Sequence, residues 1–103
     1  MTPDDFRRLA LALPGAEEGE HHGHPDFRVG GKIFATIGPD ATWGMVKVAP
    51  EDQEKLLAAH PEACDPSPGA WGRQGCTTVR FEEASAAWVG DALDAAWSHV
   101  SGR

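Results

Sequence analysis

Asp26-Phe27-Arg28-Val29-Gly30-Gly31-Lys32-Ile33-Phe34-Ala35-Thr36-Ile37 decides the fold. Two runs rich in β-branched and aromatic residues flank a pair of glycines, and that pair can adopt the primed geometry a tight hairpin needs. Phe27 and Val29 fall on one face of the first strand. In the second, Ile33, Ala35 and Ile37 alternate with Lys32, Phe34 and Thr36, the period of a half-buried strand.

Downstream, Gly38-Pro39-Asp40 marks a turn. Thr42 to Val48 then reads as a third strand, with Gly44, Val46 and Val48 opposite Trp43, Met45 and Lys47. These three strands make an antiparallel meander. Upstream, Thr2 and Pro3 read as the cap and first residue of a helix, with Asp4 and Asp5 at its positive end. Phe6, Leu9, Ala10 and Leu13 form its apolar stripe, and Pro14-Gly15 stops it. Residues 14–23 read as an acidic loop.

Pro50 opens a second helix anchored by Leu56 and Leu57, which ends near His60 because Pro61 disfavours helix before it. Residues 61–68 carry three prolines and read as a surface connection, with room for a short strand near Cys64. Gly69, Gly72 and Gly75 recur every third residue around Trp71 and Arg73, and permit positive φ or close backbone approach. This stretch reads as a mobile basic loop. It is mounted on a strand in which Thr77, Val79 and Phe81 alternate with Thr78 and Arg80. From Ser85, Trp88, Val89, Ala92, Leu93, Ala96, Trp97 and Val100 fill one broad face of a long helix, and this spacing places Trp88 and Trp97 in the core. The order is helix, three strands, short helix, strand, long helix. It predicts a two-layer α+β sandwich, an antiparallel sheet with N- and C-terminal helices.

The 103 residues fit one domain, 1–103. No apolar run approaches the ~18 residues that span a membrane. The acidic Thr2-Pro3-Asp4-Asp5 start is unlike a secretion signal, and two cysteines are too few for a disulfide framework. Cytoplasmic residence with free thiols is expected. The net charge of −7 argues against a protein that coats nucleic acid nonspecifically. Its distribution is uneven: residues 24–49 and 69–81 hold five basic and two acidic residues, net +3, and the remainder carries −10. A cationic sheet surface on an acidic protein is therefore expected.

No catalytic constellation is visible. Glu20-His21-His22-Gly23-His24 offers imidazoles, but adjacent histidines point apart and no cysteine or carboxylate completes a fixed metal geometry, so the stretch reads as an exposed polar loop. Cys76 has no base beside it and reads as a buried thiol. The glycines of 69–75 lead into a strand rather than a helix and lack phosphate-loop spacing. Catalytic residues, metal and cofactor are all expected to be absent. Trp71 and Arg73 suit stacking on a base or on a planar small molecule; the other reading makes Trp71 a plug at the core edge and leaves Arg73 solvated.

Pro14-Gly15-Ala16-Glu17-Glu18, the 27–35 hairpin, Trp43-Gly44-Met45-Val46-Lys47, Pro68-Gly69-Ala70-Trp71-Gly72 and Thr77-Thr78-Val79-Arg80-Phe81 together resemble the MmcQ/YjbR family over nearly the whole chain. The resemblance implies a CyaY-like α/β sandwich. It also implies DNA binding through hairpins that resemble a double wing. In that reading Arg28, Lys32, Lys47, Arg73 and Arg80 meet phosphates and Trp71 stacks. The alternative is a small-molecule or partner-protein binder with a pocket lined by Trp71. Where relatives place an aromatic at the start of the last strand, this chain has Gly75-Cys76-Thr77, and its aromatic lies earlier, at Trp71.

Overall fold

The computed structural model describes residues 1–102. The elements in chain order are α1 (Pro3–Leu11), β1 (Glu17–His21), β2 (His24–Val29), β3 (Lys32–Ile37), β4 (Trp43–Lys47), α2 (Pro50–Ala59), β5 (Cys64–Pro66), α3 (Ala70–Arg73), β6 (Cys76–Arg80) and α4 (Ala86–Ser101), with a 3₁₀ turn over Phe81–Glu83 before α4. The strands form one six-stranded sheet in the order β1-β2-β3-β4-β6-β5, every neighbouring pair antiparallel. The protein is thus α+β, as the sequence predicts. Among the described residues no helix is long and apolar enough to cross a membrane.

Local chemistry fixes the helix ends. The Thr2 hydroxyl accepts from the Asp5 N–H, and the Asp5 carboxylate accepts from the Thr2 N–H, closing a capping box on α1. The Ser85 hydroxyl caps α4 by accepting from the Ala87 N–H. Phe6 and Ala10 of α1 join Val89, Leu93 and Ala96 of α4 over one sheet face, against Phe27, Ala35, Ile37, Val46 and Val79. The Phe6 ring lies 6.1 Å from Phe27 and 5.2 Å from Phe81, centroid to centroid. Trp88 and Trp97 pack on this core partly buried: Trp88 stacks on His60 at 3.8 Å, and the Trp97 indole donates to the Pro14 carbonyl at 2.8 Å.

Four sequence expectations are corrected. Residues 14–23 are not all loop, because Glu17–His21 pairs with β2 as an edge strand. His22 and Gly23 make its two-residue turn, both at positive φ, the geometry that short hairpins favour. The alternation in β3 is also broken. Pairing steps from Phe27–Ala35 to Arg28–Ile33, so Phe34 is an extra residue at a β-bulge. Phe34 and Ala35 both enter the core, while Ile33 turns to the opposite face. Residues 70–73 form one helical turn rather than a loop. Gly72 is required there, since a Cβ would collide with the Ser67 carbonyl. Finally, Leu56 and Leu57 are only partly buried, and α2 is locked in place by Gln53, whose amide donates to the carbonyls of Gly72 at 2.9 Å and Cys76 at 3.0 Å.

Candidate functional site: the outer face of the sheet

Helices α1 and α4 cover one face of the sheet, and the other carries a groove of about 310 Å³. Its floor comes from the outward-facing residues of adjacent strands: Ile33 and Thr36 of β3, on either side of the bulge, Trp43, Met45 and Lys47 of β4, and Cys76 and Thr78 of β6. Trp71 of α3 forms one wall with Pro68, and His21 of β1 forms another. A second groove continues past Trp71 and Lys47 around the ends of β3 and β4, reaching Arg28, Lys32 and His99. Trp71 borders both grooves and is 64% exposed, which excludes its reading as a core plug.

A carboxylate with no solvent exposure sits under one side of this face. Asp26 accepts from Arg28 Nε at 2.8 Å and Arg28 Nη2 at 2.9 Å, and lies 2.7 Å from His21 Nδ1. The Arg28 guanidinium holds the Asp26 carboxyl below its ordinary value, against the opposing effect of burial; the His21 hydrogen bond acts in the same direction as Arg28. An ionised carboxylate only accepts, so His21 Nδ1 carries the proton of that hydrogen bond. His24 Nδ1 lies 2.7 Å from the Ile37 carbonyl and donates to it for the same reason. The space for the ion pair comes from Gly19, which faces Asp26 across the β1–β2 ladder: a Cβ there would stand 2.8 Å from Asp26 Oδ1 and 3.1 Å from Arg28 Nε.

The six candidate residues divide into three groups. Lys32, Lys47, Trp71 and Arg28 come together around the second groove, although Arg28 is committed to Asp26. Arg73 is exposed at the end of α3 and lines neither groove. Arg80 lies apart, paired with Asp65 and with the Glu62 carbonyl. Among the described residues, Lys32, Lys47 and Arg73 have no carboxylate partner. Sequence reasoning missed His21, which it placed in a polar loop. The signal was the His22-Gly23 pair, a two-residue turn that would have paired Glu17–His21 with β2 and set Gly19 opposite Asp26.

The cysteines are buried, as the sequence predicts for Cys76. Burial pushes the Cys64 thiol up to about 11 and raises that of Cys76, so neither is a poised thiolate. Among the described residues no three His, Cys, Asp or Glu side chains are grouped to hold a metal ion.

An antiparallel sheet with α1 and α4 on one face and an aromatic, cation-rimmed groove on the other defines a small α+β protein with one open sheet face. The chain belongs to the YjbR family, whose model matches residues 11–99. Its structure is similar to the crystal structure of Deinococcus radiodurans protein DR2400, described as carrying a DUF419 domain. The TM-score is 0.80 at 26% identity, over 99% of this chain and 80% of that one. Comparison with curated proteins gives no match.

Proposed function

We propose that this protein is a non-catalytic binding protein whose outer sheet face takes a planar small molecule carrying an anionic group. The observation that carries this reading is Trp71, a large apolar ring 64% exposed yet seated where two grooves meet. The first groove, about 310 Å³ with Trp43, Met45 and Ile33 for its apolar lining, suits a bicyclic ring. Lys47 borders both grooves and Lys32 the second, so an anionic tail would lie between them. The test is a panel of planar aromatic carboxylates, including naphthalene-1-acetate and indole-3-acetate, followed by amide and indole NMR shifts. Expected are shifts at Trp71 and Lys47, loss of binding in Trp71→Ala, and weaker binding in Lys47→Ala for the acids but not for naphthalene-1-acetamide. A panel that leaves the Trp71 indole resonance unmoved overturns the reading.

A second reading, DNA binding, is favoured by the gathering of Lys32 and Lys47 with Trp71 at the Gly30-Gly31 hairpin end. It leaves fewer cations for phosphates than the sequence offers, because Arg28 and Arg80 already pair with carboxylates. Single-stranded DNA would then stack a base on Trp71, with affinity falling as salt rises. In that case Arg73→Glu and Lys32→Glu weaken binding to every sequence and flatten the salt slope. Binding that ignores salt, or no binding at low salt, removes this reading.

A further inference from the structure

We infer that His21 is the fixed hydrogen-bond acceptor of the groove, and that the planar ligand therefore carries an N–H or O–H donor on its ring system. The inference deepens the small-molecule reading and rests on it. It starts from the one buried carboxylate among the described residues. Asp26 is fully buried, and its charge is already matched by Arg28 through two hydrogen bonds. His21 supplies a third contact at 2.7 Å through Nδ1, which must donate. A neutral imidazole has one donor and one acceptor nitrogen. With Nδ1 committed to Asp26, Nε2 is the acceptor, and no group among the described residues bonds it. Carboxylate, guanidinium and neutral imidazole together make an electrically balanced set, so the ring needs no charge of its own to stay in place.

The rest of the groove does not duplicate this role. Lys47 can only donate. Thr36, Thr78 and Ser67 bring hydroxyls that rotate to donate or to accept, those of Thr78 and Ser67 lying 3.1 Å apart, so none of them is a fixed acceptor. His24, 4.4 Å from the His21 ring, has turned its Nδ1 to the Ile37 carbonyl and does not line the groove. His21 is one-third exposed and lines the groove that holds Trp43 and Trp71. A ring lying along this face thus meets apolar surface over most of its area and an acceptor at the β1 side. Burying Nε2 against a ligand without a donor would leave that nitrogen unpaired, which costs more than the hydrogen bond itself gains. The orientation device is Asp26, and Gly19 gives it room.

The experiment compares three acids of nearly equal shape at about pH 8, where an ordinary imidazole is neutral. Indole-3-acetate has a ring N–H; 1-methylindole-3-acetate and benzofuran-3-acetate have none. Calorimetry should show indole-3-acetate binding about tenfold more tightly than either. Nitrogen-15 spectra of the unmodified protein should show His21 protonated at Nδ1 and bare at Nε2, with the Nε2 resonance moving when indole-3-acetate binds. In His21→Phe the three affinities should converge. The first two measurements need no variant, so the inference stays exposed even if His21→Phe does not fold. Equal affinities for the three acids overturn the inference and leave the groove reading standing, as does a His21 ring protonated at Nε2. If none of the acids binds, the groove reading fails and the inference fails with it.

Discussion

Asp26 shows how one residue can be both a stability element and a site element. Its carboxylate is out of water, yet Arg28 keeps it ionised, with His21 adding a further bond. Because its folded-state pKa lies below the ordinary 3.8, it contributes stability that is fully present above that value and is lost as pH falls through the folded one. Asp26→Asn should therefore be less stable than the parent by about 1.5–3 kcal/mol at neutral pH, the scale of charged hydrogen bonds. The gap should close as pH drops below about 4. Urea melts of both proteins across that range check it, and a gap independent of pH would mean the carboxylate's charge is not what the fold uses. Gly19 belongs to the same argument. Gly19→Ala places a methyl against Asp26 Oδ1, which cannot swing away because it is fully buried and bonded. Overpacking of this kind costs about 1–3 kcal/mol, and the melt should show it with the fold retained.

At the scale of elements, α3 is a single turn that would not persist alone, since nucleating a helix is unfavourable. Its position comes from outside. Gln53 of α2 reaches both the Gly72 and Cys76 carbonyls, and so ties α3 to the start of β6. Gly72 lets the turn lie against Ser67. Trp71 is held at the groove by these contacts, not by burial of its own ring. Gln53→Leu should cost about 1–2 kcal/mol for the lost hydrogen bonds. It should also speed amide exchange selectively over residues 70–75 and weaken binding in the groove. Uniform exchange changes across the protein would show that Gln53 supports the whole fold, not this turn. The bulge at Phe34 acts in the same way on β3. By adding one residue it sends two consecutive side chains into the core and returns Ile33 to the groove floor, which strict alternation would have forbidden.

Across the whole molecule, the main apolar core and the groove occupy opposite faces of one sheet. Trp71→Ala should leave stability within about 0.5 kcal/mol, as for other surface changes, while removing ligand binding; a loss of several kcal/mol would show that the indole supports the core after all. The sequence by itself determined the α+β class, the Gly30-Gly31 hairpin, the third strand, the long C-terminal helix and the family, because each rests on local spacing, turn residues or a motif read within a few positions. It also marked Trp71, Lys47 and Lys32, since an aromatic and cations among strands and glycines stand out without knowing their partners. Only the tertiary structure decided that β1 is a strand, because Glu17–His21 has little apolar alternation and is ordered by pairing with β2. Only it committed Arg28 and Arg80 to carboxylates, placed His21 over Asp26 and brought Trp71 to Lys47. Those relations join residues on different strands and helices, and their register is set by a bulge, a two-residue turn and the packing of α2, none of which is a property of any one stretch of chain.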